Sequence, residues 1–261
     1  MGGKIEAYFD CPSPYSFFAF QHLLKNRELL ASHGIEVEIF PVFLGGINAG
    51  SGNTPPWTNP VKARYGKFDR ERAAKYFNVK DMSPPPFFPP LTILVISSKN
   101  TSRRPLSHTS PYIPYIPYIP CLTRRPKQPQ RVATHIKANY PRSRFENTFL
   151  LYWTYMFYRH IDLSKPENMI VLLREEKYSD AEIETIMKSA QSPEGKQALT
   201  DRTKEALDRG AFGAPWFWVR NAEGKEEPFF GSDRFHYMWQ FLGVPFQDVK
   251  ILEKGKERAK L

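Results

Sequence analysis

Cysteine is almost absent from this chain. Its 261 residues hold two, Cys11 and Cys121. No Cys-x-x-Cys pair, zinc-ligand spacing or disulfide framework can be built from them, which argues against dithiol exchange and fits a reducing or neutral compartment. The six histidines are scattered and form no metal pair or triad pattern. A Gly-rich phosphate loop is lacking. No run is apolar and long enough to span a bilayer. The alternating pattern Ile5–Phe9 begins so early that no signal or transit peptide is expected ahead of it. Met1-Gly2-Gly3 lacks the Ser or Thr at position six that would suggest myristoylation.

Acidic residues are missing from one long stretch, Met82 to Phe145. The ten Lys and Arg in that stretch equal the whole +10 formal charge, so the rest of the chain is neutral. A basic nucleic-acid face on the folded body is therefore not expected, although a basic loop could hold polyanions weakly. Ser83 to Gln130 also holds half of the 24 prolines and a tandem Tyr-Ile-Pro repeat from Tyr112 to Pro120. Such a segment has little capacity for helix and reads as an extended or disordered excursion. A loop of that length is unusual inside a compact domain.

On either side the chain has ordinary periodicity. Lys4–Asp10 reads as a buried strand and Ser16–Ala31 as a helix stopped by Gly34. Ile35–Phe43 reads as a second strand, which completes a parallel β-α-β unit. Gly45–Pro60 reads as a Gly/Pro/Asn loop, and Val61–Phe77 as a charged helix. After the excursion, Arg131–Tyr140 and Arg144–His160 read as helices. The second carries an aromatic face of Phe145, Phe149, Tyr152, Trp153, Met156 and Phe157, expected to be core. Ser164 and Ser179 open capping-box patterns, and Ser192-Pro193 starts a further helix. Trp216–Arg220 and Glu227–Phe230 read as a hairpin around Asn221–Gly224, followed by a helix from Asp233 to Leu242. The expected fold class is α/β, a thioredoxin-like domain carrying an inserted all-helical domain. The thioredoxin-like part comprises residues 1–53 and 205–245, the helical part 54–204 with the Pro-rich segment 83–130, and the basic tail 246–261.

Two short stretches carry the chemistry. Asp10-Cys11-Pro12-Ser13-Pro14-Tyr15-Ser16 passes from strand to helix through Pro, which leaves free amides and the positive dipole end for an anion. A Ser13 hydroxyl there can donate a hydrogen bond to a ligand thiolate, or it can simply cap the helix. Ala214-Pro215 stands ahead of a strand, where thioredoxin-like domains keep a cis-proline and offer the preceding backbone to an extended cysteinyl peptide. Ser232-Asp233 reads as the cap of the last helix. Asn53 is either a turn residue or a donor to a ligand amide. Cys11 reads as a small buried strand-end residue.

Taken together, Ser13-Pro14-Tyr15-Ser16, Gly52-Asn53-Thr54-Pro55-Pro56, Gly210-Ala211-Phe212-Gly213 with Pro215, and Phe230-Gly231-Ser232-Asp233-Arg234 resemble kappa-class glutathione S-transferases. They equally resemble glutathione-dependent 2-hydroxychromene-2-carboxylate isomerases. The resemblance implies a DsbA-like thioredoxin fold, a homodimer, and glutathione as co-substrate. It implies that Ser13 stabilises the thiolate for attack on a small hydrophobic electrophile. Pro14, Tyr15, Asn53, Ala214, Ser232 and Asp233 would line the tripeptide, with Ser232-Asp233 at its γ-glutamyl end and Lys62 as a weaker candidate for a ligand carboxylate. The isomerase, a dithiol oxidoreductase and a non-catalytic binding module or mis-spliced product are the alternatives.

Two further expectations concern the ends of the pattern. Ala259-Lys260-Leu261 is a close variant of the Ser-Lys-Leu peroxisomal tripeptide, so an import receptor and a peroxisomal location are expected, with mitochondrion, cytoplasm or a chance basic ending as alternatives. About Leu94 to Gln130 departs from the resemblance and reads as a translated retained intron, since it is repetitive, acid-free and flanked by normal periodicity.

Overall fold

The computed structural model describes residues 2–87 and 128–247. Strand β1 (Lys4–Phe9), helix α1 (Pro14–Ser32) and strand β2 (Glu36–Pro41) form the expected unit, with β1 and β2 parallel and Ile5 opposite Val37. Strands β3 (Trp216–Arg220) and β4 (Glu226–Phe230) close the sheet antiparallel, in the order β2-β1-β3-β4. Between them lie α2 (Leu44–Ser51), α3 (Pro60–Tyr76), α4 (Gln128–Asn139), α5 (Arg142–Trp153), α6 (Pro166–Glu175), α7 (Asp180–Gln191) and α8 (Pro193–Asp208). Helix α9 (Phe235–Leu242) follows β4.

Strand alternation decides what each face buries. Ile5, Ala7 and Phe9 point into a large cluster with α1, α4, α5, α6 and α7. Tyr8 points the other way, onto Phe40, Val42, Ile47, Ala206 and Trp216 beneath α2 and α8. The expected aromatic face of Phe145, Phe149, Tyr152, Trp153, Met156 and Phe157 is buried throughout. Helix α8 runs unbroken across position 204, where the inserted part was expected to end.

Four expectations need correction. The stretch from Gly45 is not all loop, because Leu44–Ser51 is helical. Its glycines permit close packing: a Cβ on Gly50 would sit 2.6 Å from Leu207 Cδ1. Ser164 does not cap a helix; Pro166 takes the first helical position, so the cap falls on Lys165 without a side-chain bond. By contrast Ser179 forms the full capping box with Glu182, and Ser192 caps α8 through Gly195 N. The last helix begins at Phe235 with Arg234 as its cap residue, so Ser232-Asp233 do not cap it. The Asp233 carboxylate is instead held by Arg234 at 2.5 Å. Finally, helix α4 includes Gln128, Pro129 and Gln130, ahead of Arg131, and all three are buried. The Tyr-Ile-Pro repeat, Cys121, most of the retained-intron interval and the Ala259–Leu261 ending lie outside the described residues.

Candidate active site

Ser13 is fixed by the junction of β1 and α1. Its backbone is extended and Pro14 occupies the first helical position, so the chain enters α1 with Ser13 as cap. The Ser13 amide donates to Asp10 O at 3.2 Å, and its carbonyl accepts from Trp153 Nε1 at 3.2 Å. Its hydroxyl accepts from Ser16 N at 3.1 Å and donates to Ala214 O at 2.9 Å. The cap and the thiolate-donor readings of Ser13 therefore share one oxygen. Ser13 is buried, but it lies at the end of a 19-residue helix whose first turn carries no acid. That end favours an anion.

The Ala214–Pro215 peptide bond is cis. Pro215 O accepts from Gly231 N at 3.1 Å, which brings Ser232 and Asp233 beside the cis-proline. Gly231 has φ +85, and a Cβ on Gly213 would meet Phe230 Cε2 at 2.7 Å, so both glycines are required for this close approach. Ser232 is buried and Asp233 exposed. Asn53 reaches in from the loop after α2, its Nδ2 donating to Phe212 O at 2.6 Å. Tyr15 donates its phenol to Asp69 Oδ2 of α3 at 2.5 Å. Burial, then the Asp69 carboxylate, hold that phenol well above its ordinary titration range.

Ser13 is thus bonded directly to Ala214, Ser232 and Asp233 follow the Gly231 that bonds Pro215, and Asn53 is tied to the same loop through Phe212. Lys62 stands apart: it is exposed in the first turn of α3, and its amide donates to Asn59 Oδ1. Cys11 is fully buried, and burial pushes its thiol well up, which disfavours the thiolate that a nucleophile needs.

Three residues reach the site from far along the chain. Asp69, Trp153 and Phe212 bond Tyr15, Ser13 and Asn53 across 54, 140 and 159 positions of the chain. Asp10 is the fourth unpredicted feature. Its carboxylate is fully buried, accepts from Leu44 N at 2.7 Å and from Gln130 Nε2, and burial raises it to about 7. It anchors the strand end, α2 and α4 around the turn that carries Ser13. Among the described residues no group of His, Cys, Asp and Glu could hold a metal ion.

A cis-proline loop facing a helix N-terminus, on a β-α-β plus hairpin sheet, defines a thioredoxin-type chain. The family model for the DsbA-like thioredoxin domain matches residues 4–89 and 125–243, and the chain belongs to that family. Residues 90–124 fall between the two matched spans. The chain is 26% identical over 244 residues to glutathione S-transferase kappa 1 of Caenorhabditis elegans, spanning 93% of this chain and 92% of that protein. It is 23% identical to glutathione S-transferase kappa 1 of Homo sapiens, spanning 92% and 90%. Among solved structures, a 2-hydroxychromene-2-carboxylate isomerase superposes with a TM-score of 0.63 at 15% identity, over 92% of this chain and 94% of that one. The cytosolic disulfide reductase DsbM of Pseudomonas aeruginosa, solved with GSH, superposes at 0.53 and 14% identity, over 91% and 93%.

Proposed function

We propose that this chain is a kappa-type glutathione transferase in which Ser13 stabilises the glutathione thiolate. The observation that carries the reading is the 2.9 Å bond from Ser13 Oγ to Ala214 O, the carbonyl before cis-Pro215. A serine hydroxyl has one proton to donate. Without ligand that proton is spent on Ala214 O. An extended cysteinyl residue laid along residue 214 supplies its own amide N–H to that carbonyl, as a neighbouring strand would. The Ser13 proton is then free to turn to the sulfur. Hydroxyl and helix end together favour thiolate over thiol.

With an activated aryl halide, the sulfur forms a C–S bond and the halide leaves with the electrons of the broken bond. The thiol proton goes to solvent. The site contributes proximity and a lowered thiol pKa. Tyr15, with its proton held by Asp69, and Pro14 wall the helix end. In this reading Asn53 bonds the ligand's peptide groups, Asp233 its γ-glutamyl ammonium and Ser232 its γ-glutamyl carboxylate. Lys62 is a distal candidate for a carboxylate.

Isomerisation is the second reading, and it rests on the superposition with the chromene carboxylate isomerase. There the same thiolate would add to an unsaturated acceptor and later leave. Mass spectrometry of products after incubation with glutathione and either an aryl halide or an unsaturated keto acid separates the two. Conjugation retains glutathione in the product, while isomerisation returns it unchanged. Turnover of neither, in a folded protein that also fails to bind glutathione, would favour a non-catalytic thioredoxin-like module. The Ala259-Lys260-Leu261 ending further supports a proposed peroxisomal destination, tested by imaging the chain with and without those three residues.

A further inference from the structure

The chain leaves α3 through a shaped loop. Asn78 and Asp81 take φ of 55 and 56, a left-handed conformation that these residue types tolerate better than most and that turns the chain sharply. Val79 N is tied back to Ala74 O at 2.8 Å, and Ser83 N to Phe157 O at 3.1 Å. Residues 79–85 belong to no helix or strand. Val79 and Pro85 are buried, while Ser83 between them is exposed. Pro84 follows Ser83 and biases it towards extended backbone.

The Ser83 hydroxyl has a basic setting. His160 Nε2 lies 3.0 Å from Ser83 Oγ. Ser83 also lines a surface groove of about 460 Å³, together with Arg70, Lys75 and Lys80. Glu71 and Asp81 line it too, so the groove's cations outnumber its acids before His160 is counted. Among the described residues, none of the three cations makes an ion pair. Three other Ser-Pro or Thr-Pro pairs lie within the described residues, and each lacks part of this setting. Ser13 and Ser192 have their hydroxyls bonded to backbone amides as helix caps, and Ser13 is buried. Thr54 is exposed, but no charged residue occurs from Leu44 to Val61.

We propose that Ser83 is a phosphorylation site for a proline-directed serine/threonine kinase, and that the groove beside it holds the resulting phosphate. The Ser83 oxygen attacks the γ-phosphorus of ATP. An O–P bond forms, the bond to the bridging oxygen breaks, and ADP leaves with its electrons. The hydroxyl proton passes to the kinase's base. The modified serine carries between about 1.5 and 2 negative charges and three acceptor oxygens. His160 and the groove's cations supply the donors that these oxygens need. Modification therefore ties the loop down onto the turn that holds Phe157 and His160, where a phosphate among acids would push it away.

Incubation of the full chain with a purified proline-directed kinase and Mg-ATP tests this, with tandem mass spectrometry to place the phosphate. The expected result is a phosphate on Ser83 of the folded chain. It should form at least about tenfold faster than on Ser13 or Ser192, which react only after local opening. Ser83→Ala should remove it and leave the thermal melt unchanged. Phosphorus NMR then reads the groove itself. In the folded chain the second ionisation of the Ser83 phosphate should lie at least about half a pH unit below its value in urea, where it is about 6. Lys75→Gln together with Lys80→Gln should move it back towards the unfolded value. Phosphate confined to Thr54 or to Ser110 of the Pro-rich stretch, or placed on Ser83 only after unfolding, would overturn the proposal. So would the same ionisation in the folded and unfolded chain.

Discussion

Replacing His22 by Phe, and separately Asp10 by Asn, should unmask two opposed pH dependences that partly offset each other in the unaltered protein. The His22 ring is packed against Phe235 and Phe77 at 4.3 and 5.6 Å, and its buried Nε2 has no partner. Burial, with a smaller contribution from Lys25, lowers it to about 4 from 6.5. The unfolded chain therefore takes up a proton that the folded chain refuses. The stability tied to neutral His22 is complete above pH 6.5 and is lost as pH falls towards 4, a change of about 3 kcal/mol. Asp10 acts in the other sense. Burial raises it from 3.8 to about 7, so the folded chain keeps a proton that the unfolded chain releases. Its contribution is complete below pH 3.8 and is lost as pH rises through 7, a change of about 4 kcal/mol. Urea unfolding across this window, at constant ionic strength and with m unchanged, reads both slopes. Relative to the parent, His22→Phe should lose stability as pH rises and Asp10→Asn should gain it. Differences from the parent that stay constant with pH in both variants would refute the assignment of these two buried groups.

Two further outcomes follow from packing and from the chain's organisation. Gly195→Ala places a Cβ 2.0 Å from Ser189 O, a backbone atom that cannot rotate aside. The turn between α7 and α8 must open, and chemical denaturation should register a loss of about 3 kcal/mol. Deleting residues 94–127 should leave glutathione affinity within about threefold, because closing a shorter loop changes the folding free energy little. Isothermal titration checks this, and loss of binding in a still-folded deletion variant would count against an inserted origin for that stretch. Messages joining the codons near Thr92 to those near Arg131 would support the intron reading directly.

What was legible in the sequence was local. The β-α-β opening, the hairpin and the Ser179 and Ser192 caps each follow from a few adjacent residues whose spacing has a single physical meaning. Ser13 and Pro215 were legible for the same reason: a helix entry and a Pro ahead of a strand are backbone statements. The Gly45–Ser51 stretch misled because glycine has two uses. Here it shortens the distance between α2 and α8, so helix forms in spite of poor propensity. Ser232-Asp233 looked like a cap, but the neighbouring Arg234 takes the Asp233 carboxylate and the helix starts later. The bonds of Asp10 to Gln130 and of Tyr15 to Asp69 join residues 120 and 54 positions apart, which no local pattern specifies.

The central claim is that Ser13 holds a glutathione thiolate at the head of α1. The direct measurement is the ultraviolet absorbance of bound thiolate across a pH titration, for the parent and for Ser13→Ala, with binding confirmed by calorimetry. The account predicts a thiolate signal well below the pH at which free glutathione ionises, shifted up by at least about one pH unit in Ser13→Ala, with a modest change in affinity. The same titration curve in both proteins, with glutathione bound in each, would contradict it and leave Ser13 as a helix cap alone.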